Sequence, residues 1–139
     1  MGRIVALDYG TKRTGVAVTD PMKIIASPLV TVSTANLFEF ILKYVKQETV
    51  ETIVVGLPKR LNEEDTHATQ PVRQFIKQLR EKLPDLHIVE EDERFTSKMA
   101  MDAMIKGGMK KKDRRKKENV DKVSAALILQ SYLEHHGSV

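Results

Sequence analysis

The sequence predicts an α/β fold with a mixed five-stranded sheet flanked by helices, and two observations carry this prediction. Five segments have the short apolar or alternating pattern of strands, and four have apolar residues at helical spacing. Three strands come in succession and the others alternate with helices, which is typical of an antiparallel start followed by parallel strands. The 139 residues contain no repeat and no linker, so we expect a single domain over residues 1–139.

The first three strands are expected to pair in antiparallel fashion. Residues 3–7 contain a continuous apolar run that ends at Asp8, and residues 14–19 form the second strand after a turn. The third predicted strand covers residues 24–32. It contains Pro28, which lacks a backbone donor and therefore favours an edge position or a bulge.

The first helix and the fourth strand follow. Asn36 is expected to begin the helix, with Glu39 three residues later completing a capping box. Residues 52–56 (TIVVG) carry a run of branched apolar residues, which predicts a strand buried on both faces, and Pro58 ends it. The polar residues 59–69 predict a mobile loop.

The second half of the chain predicts further helices around the fifth strand. Apolar residues recur at helical spacing over residues 72–83, and a strand follows over residues 87–92. Thr96 or Ser97 is expected to cap the next helix. The glycine pair at 107–108 is expected to end it.

The positive charge of the chain is concentrated in one stretch. The net charge is +4, but residues 106–117 contain eight basic residues and one acid, a charge of +7, which leaves −3 for the rest. A concentrated positive patch suits a polyanion, because each neutralised phosphate releases counterions. A membrane surface is less favoured, because no apolar face accompanies the patch. We expect a basic segment to grip a phosphate backbone, namely Lys110, Lys111, Lys112, Arg114, Arg115, Lys116 and Lys117.

Composition excludes several classes of protein. No apolar run approaches the length of about 18 residues that spans a bilayer, and the first residues lack the layout of a secretion signal. The absence of cysteine excludes a disulfide framework and a thiolate metal site. We therefore expect a cytoplasmic protein without membrane partners.

Carboxylates stand where the predicted fold would bring them together. Asp8 ends an otherwise buried strand, and Asp92 and Glu93 come at the end of another. An unpaired buried carboxylate is costly, so acids are rarely placed there for stability. Asp121 lies in the first turn of the last helix, predicted over residues 118–134. Because sites in α/β sheets form beyond the carboxyl ends of the strands, these acids could converge.

Converging carboxylates without cysteine suit a hard cation such as Mg²⁺ or Mn²⁺. Two such ions, about 3.5–4 Å apart, can activate water and stabilise the leaving oxygen in phosphodiester hydrolysis. Each acid also has a structural explanation. Asp8 could cap a turn, Asp92 or Glu93 could pair with Arg94, and the helix dipole alone favours Asp121.

Four stretches of the chain resemble the motifs of the YqgF/RuvX family, in the same order. They are residues 6–17 (ALDYGTKRTGVA), 54–58 (VVGLP), 92–97 (DERFTS) and 120–133 (VDKVSAALILQSYL). The resemblance implies a ribonuclease H-like fold and a divalent-metal-dependent nuclease. It implies a role in processing the 5′ end of pre-16S ribosomal RNA, with resolution of Holliday junctions as the alternative.

The resemblance also implies site residues. Asp8 and Asp121 would hold the metal, and the third ligand would be Glu93 or, because neighbouring strand residues face opposite ways, Asp92. After residues 56–58 the family usually has a loop with a glycine, which this chain lacks. Substrate contacts are expected from a further set: Gly10, Thr11, Lys12, Arg13, Arg94 and Thr96. A plain hairpin turn explains the glycine equally well, and Thr96 could serve only as a helix cap.

Other functions remain open at this point. A non-catalytic nucleic-acid-binding module would need only the basic segment, and its acids would be structural. Residues 8–11 (DYGT) also resemble the phosphate loop of actin-like ATPases, but those proteins clamp ATP between two such domains and this chain supplies one. A junction with two-fold symmetry would require a homodimer, although no dimer face is evident.

Overall fold

The computed structural model of the protein describes residues 2–57, 69–92, 96–114 and 116–136, with the side chains at 57, 69, 92, 96–99 and 136 excepted. Within these ranges the elements, in chain order, are β1 (Arg3–Asp8), β2 (Arg13–Thr19), β3 (Ala26–Ser33), a 3-10 turn (Thr34–Asn36), α1 (Leu37–Gln47), β4 (Val50–Leu57), α2 (Thr69–Lys82), β5 (His87–Asp92), α3 (Thr96–Lys106), α4 (Lys111–Arg114) and α5 (Lys117–His136).

The strands form one mixed sheet in the order β3-β2-β1-β4-β5. Strands β1, β2 and β3 pair antiparallel, whereas β4 lies parallel to both β1 and β5. The predicted fold class is therefore confirmed. Because β1 is central, the carboxyl ends of β1, β4 and β5 lie along one edge of the sheet, and Asp8 lies in the middle of that edge.

One face of the sheet, here called the α1/α2 face, packs against α1 and α2. Alternate residues of the strands point toward these helices, as the two-residue period of a strand requires. The buried side chains of this face are large and apolar. They include Val5, Leu7, Val16, Ile53 and Val55 from the sheet, and Leu37, Ile41, Phe75, Ile76 and Leu79 from the helices.

The opposite face, here called the α5 face, is covered by the long helix α5 and combines the apolar side chains of Ile4 and Val54 with smaller residues. Ala6 and Ala17 of the sheet pack against Ala125 of α5. Larger residues join this core toward the end of α5, namely Ile128, Leu129 and Tyr132. Small side chains on both partners let the start of the helix lie close to the strands.

Strand β3 is at the edge of the sheet, as Pro28 predicts, although it begins at Ala26 rather than at residue 24. Pro28 lies beside an irregularity, because Val16 pairs with Val30 and the next residue of β2 pairs with Pro28. Leu29 is the extra residue, so the ladder is interrupted directly beside the proline that cannot donate to it.

The predicted capping box at Asn36 is wrong. The 3-10 turn precedes α1, so Asn36 has φ −104° and ψ 2° and its side chain makes no capping hydrogen bond. An N-cap residue normally has extended backbone, from which its side chain reaches the first free amides. The turn removes that geometry.

The ends of the later helices show one confirmed prediction and one omission. Helix α3 ends at Lys106, and Gly108 has the left-handed φ of +80° that favours glycine after a helix. The short helix α4 within the basic segment was not predicted, because uniformly charged residues carry no apolar period. Residues 59–68 of the predicted loop lie outside the described residues. Within the described part, no helix is long and apolar enough to cross a membrane.

Candidate metal and nucleic-acid site

Asp8 lies on the α5 face of the sheet. Ile4 and Ala6 of β1 pack on this face, and alternation along the strand makes Asp8 the next residue to point there. Its register partners on either side are glycines, Gly15 on β2 and Gly56 on β4. No side chain of these two neighbours therefore crowds the carboxylate.

Gly15 brings Asp121 to the same place. A Cβ added to Gly15 would overlap the backbone carbonyl oxygen of Asp121, so α5 lies directly against β2 at this point. Since Gly15 is the register partner of Asp8, the first turns of α5 lie beside the end of β1. The structure thus brings together the two acids expected from the sequence, and their role as metal ligands stays a prediction.

Arg13 forms an ion pair with Asp121. Its Nε lies 2.9 Å from Oδ2 of Asp121, and the side chains are 37% and 23% exposed. Side chains alternate between the two faces along a strand, and Arg13 lies two and four positions before Gly15 and Ala17 on β2. It therefore points to the same face as they do, toward α5. Sequence reasoning assigned Arg13 to substrate phosphate and missed this pair, because the two residues are far apart in the chain.

The two candidates for the third acid, Asp92 and Glu93, lie at the limit of the part of the chain that the structure describes. Glu93 and Arg94 lie outside the described residues, and of Asp92 only the backbone, as the last residue of β5, is described. Ile88 of β5 belongs to the core of the α1/α2 face, whereas Val89 packs on the α5 face. Position 92, four residues after Ile88, therefore belongs to the α1/α2 face, whereas Asp8 belongs to the α5 face.

Glu91 is an acid on the α5 face that sequence reasoning did not consider. It is the register partner of Gly56, its side chain is 14% exposed, and its Oε1 lies 3.9 Å from Nδ1 of His135. Burial raises the pKa of Tyr132, and the negative charges of Glu51 and Glu91 raise it further. These contacts connect Glu91 with the end of α5, away from Asp121. The alternation from Val89 was the signal that could have identified it.

The oxygen atoms at this place suit a hard cation. Ser124, one turn after Asp121 on α5, is fully buried, and its hydroxyl has no hydrogen-bond partner among the described residues. Asp8 and Asp121 supply carboxylates, the ligands that Mg²⁺ and Mn²⁺ prefer. The described residues contain no group of three or more acids or histidines that could hold a metal.

The turn between β1 and β2 is held in place by Thr34. The Thr34 hydroxyl donates to the Gly10 carbonyl at 2.6 Å and lies 2.9 Å from the Thr14 hydroxyl, and its amide donates to the Lys12 carbonyl at 3.0 Å. A Cβ at Gly10 would overlap the Arg13 carbonyl oxygen. The turn therefore requires glycine there, and Thr11 and Lys12 are presented in exposed positions.

A groove of about 500 Å³ lies beside the site, between β3 and the start of α5. Lys12, Arg13 and Lys122 line it together with Glu118, Asn119 and the consecutive β3 residues 29–33. Thr31 joins its two walls, because its hydroxyl donates to the Glu118 carbonyl at 2.6 Å. Arg13 belongs both to this groove and to the ion pair with Asp121.

The basic segment leads into α5. Asn119 donates from Nδ2 to the Asp113 carbonyl at 2.8 Å, which attaches α4 to α5. In the basic segment, Arg114 is partly buried and the lysines are exposed, namely Lys110, Lys111, Lys112, Lys116 and Lys117. Arg115 lies outside the described residues. Helix α3 begins at Thr96, one of the two residues expected to cap it, but the Thr96 side chain is not described, so neither its capping nor its substrate contact is tested.

The profile of the family described as "RuvX: Holliday junction resolvase" matches residues 2–135. The chain belongs to the RuvX family. RuvX relatives named as candidate pre-16S rRNA nucleases include one from Phocaeicola vulgatus, 55% identical over 134 residues with 96% of each chain covered. A second, from Amoebophilus asiaticus, is 51% identical over 136 residues, covering 98% of this chain and 96% of its own. The resemblance seen in the motifs is thereby confirmed.

A solved structure confirms the fold. The structure of Thermus thermophilus RuvC is similar with a TM-score of 0.58 at 13% identity, covering 98% of this chain and 97% of its own. The expected ribonuclease H-like fold is thus present in this RuvX protein. The family and the names of the relatives also confirm the predicted class of enzyme, a nuclease that hydrolyses nucleic acids.

Proposed function

We propose that this protein cuts the precursor of 16S ribosomal RNA near its 5′ end, using a divalent metal held at Asp8 and Asp121. The contact of Gly15 with the Asp121 backbone supports this most directly, because it brings the start of α5 beside the end of β1. The names of the relatives support the choice of substrate. The family description favours a Holliday junction as the second candidate.

We assign the third carboxylate to Glu93 rather than Asp92. Strand parity supports this assignment by separating position 92 from the face of the sheet on which Val89 and Glu91 lie. Position 92 continues the series of Ile88, whose side chain is in the core on the other face. Asp8 belongs to the α5 face, so a ligand shared with it must come from that face.

Mg²⁺ or Mn²⁺ at these carboxylates would polarise the scissile phosphate and activate the attacking water. The chain's own residues position the substrate: Lys12 and Arg13 lie at the edge of the site with donors for phosphate oxygens. The basic segment would bind the phosphate backbone farther from the cut, with Gly10 and Thr11 in the turn and Arg94 and Thr96 after β5 as further contacts. Water is the nucleophile in this proposal, so the enzyme forms no covalent intermediate.

The remaining expectations follow from this function. Ribosomal RNA precursors place the enzyme in the cytoplasm, and residues 1–139 act as a single domain. Processing of an RNA end requires only one copy of the chain. Resolution of a four-way junction would require a homodimer, because two strands must be cut symmetrically.

Cleavage of two labelled substrates tests the proposal: a pre-16S 5′ leader and a synthetic four-way junction, each with Mn²⁺ or with EDTA. We expect metal-dependent cutting of the leader and a loss of about 100-fold or more in Asp121→Asn. Asp85→Asn is the matched control, since Asp85 is an exposed turn residue.

Three results would change the conclusion. Cutting of the junction alone would show that the substrate is branched DNA rather than the RNA precursor. Binding without cutting would leave a nucleic-acid-binding module and remove the metal from the carboxylates. Equal cutting by wild type and Asp121→Asn would place the active site elsewhere.

A further inference from the structure

We infer that the groove between β3 and the start of α5 holds the backbone of one unpaired nucleic-acid strand next to the bond that is cut. This inference rests on the proposed function, because it places the strand relative to the carboxylates. It adds the structural state of the substrate at the site, a single strand rather than a duplex.

Charge complementarity points to a phosphate backbone. Lys12 and Lys122 give the groove two positive charges against the single acid Glu118, while the charge of Arg13 is paired with Asp121. Lys12 is exposed, and the Lys122 side chain is only partly buried, so both can meet a ligand in the groove. The lining residues of the described groove include no aromatic side chain, which argues against stacking of bases and for a grip on phosphates.

The wall formed by β3 adds backbone donors. Strand β3 pairs only with β2 in the described sheet, so one row of its peptide groups points away from the sheet. Residues 29–33 of this edge line the groove. Peptide N–H groups are common phosphate ligands, and they position a strand without reading its sequence.

The size of the groove is closer to that of one strand than to that of a duplex. Its volume of about 500 Å³ lies within the range of about 300–1,000 Å³ that is typical of small-ligand pockets, which suits one or two nucleotides. A duplex carries two backbones separated by grooves about 6–12 Å wide and would rest across the opening. Thr31 and Glu118 are hydrogen-bonded at 2.6 Å, which holds the two walls at this spacing.

Arg13 connects the groove with the carboxylates. It lines the groove and its Nε also lies 2.9 Å from Asp121, so a strand in the groove ends beside Asp121 and Asp8. The groove is therefore the path by which a flexible RNA end reaches the site. A fully paired junction arm would have to open before it could follow the same path.

Binding measured in EDTA, where no metal-dependent cutting occurs, tests the inference. The probes are a labelled single-stranded RNA and a hairpin duplex of equal charge, followed by anisotropy over a series of salt concentrations. The test variant is Lys12→Gln with Lys122→Gln. The matched control is Lys43→Gln with Lys46→Gln, two exposed lysines on α1 beyond the opposite face of the sheet.

We expect the groove variant to bind the single strand about 10-fold more weakly than wild type, with the salt slope reduced by about 1.4, or about 0.7 for each lost phosphate contact. The control variant should keep wild-type binding, and the duplex should bind alike to all three proteins. Thermal unfolding of the variants checks that the exchanged lysines leave the fold intact.

Equal weakening in the groove and control variants would overturn the inference, because only the overall charge would then matter. Equal weakening for the hairpin and the single strand would also overturn it. Failure of the proposed function is a separate result. If the groove variant alone loses single-strand binding while wild type cuts nothing with Mn²⁺, the groove assignment stands and the nuclease proposal does not.

Discussion

The two faces of the sheet differ in the size and polarity of the residues that they present. The α1/α2 face is filled by large apolar side chains such as Leu7, Ile41 and Phe75. On the α5 face, strands β1 and β2 present the small residues Ala6, Ala17 and Gly15, and the carboxylate of Asp8 lies at the end of β1. The first arrangement buries much apolar area, whereas the second lets a helix backbone lie against the strands.

This difference shows how one sheet separates stability from function. Large side chains keep the helices of the α1/α2 face at a distance and fill the space between, which stabilises the fold through buried area. On the α5 face, the absence of a side chain at Gly15 and the small methyl group of Ala17 allow the start of α5 to approach. That approach brings Asp121 beside the end of β1, where the proposed chemistry takes place.

The largest effect is expected from Gly15→Ala, which tests the close approach on the α5 face. The added Cβ must displace the Asp121 carbonyl, so α5 shifts away from β2. We expect single-turnover cleavage to fall about 100-fold or more and the free energy of unfolding to fall by about 1–3 kcal/mol. Gly107→Ala, at the end of α3, is the control. Unchanged cleavage in Gly15→Ala would show that the position of α5 does not matter to the chemistry.

Ile41→Ala tests the other side of the comparison. Ile41 is buried in the core of the α1/α2 face, so its truncation should lower the free energy of unfolding by about 2–5 kcal/mol, measured by urea denaturation. We expect the single-turnover cleavage rate of the folded variant to stay at the wild-type value. A large fall in that rate would mean that the two faces are not separable.

The triple variant Lys110→Gln, Lys111→Gln, Lys112→Gln tests whether the basic segment binds backbone away from the cut. These lysines are exposed, so their loss should leave the fold intact. We expect a salt slope lower by about 2 for single-stranded RNA, with single-turnover cleavage at saturation preserved. An unchanged salt slope would exclude the segment from substrate binding.

The smallest effect is expected from Arg13→Gln, which removes the cation paired with Asp121. The pair is partly exposed, so we expect its loss to change stability by less than about 1 kcal/mol. Without the competing guanidinium, Mn²⁺ should bind about two- to fivefold more tightly by calorimetry. Lys12→Gln, a neighbouring loss of equal charge, is the control. Weaker Mn²⁺ binding in Arg13→Gln would instead show that Arg13 orients Asp121 for the metal.

The arrangement of strands and helices followed from local patterns. Apolar runs and helical spacing predicted all five strands and the four longer helices, because each element must bury one side or both. The details that failed were local exceptions to these patterns. The 3-10 turn at residues 34–36 removed the cap at Asn36, and α4 carries no apolar period to reveal it.

The sequence by itself determined the fold class and the acids that deserve testing, since a charged residue at the end of a buried strand needs a reason to be there. It could not determine which residues meet. Arg13 and Asp121 are separated by 108 positions, and their ion pair exists only because α5 crosses β2 at Gly15. Likewise, the strand parity that separates position 92 from Asp8 has a meaning for the site only because α5 covers one face of the sheet. Such contacts depend on how whole elements pack, and no local stretch of sequence contains that information.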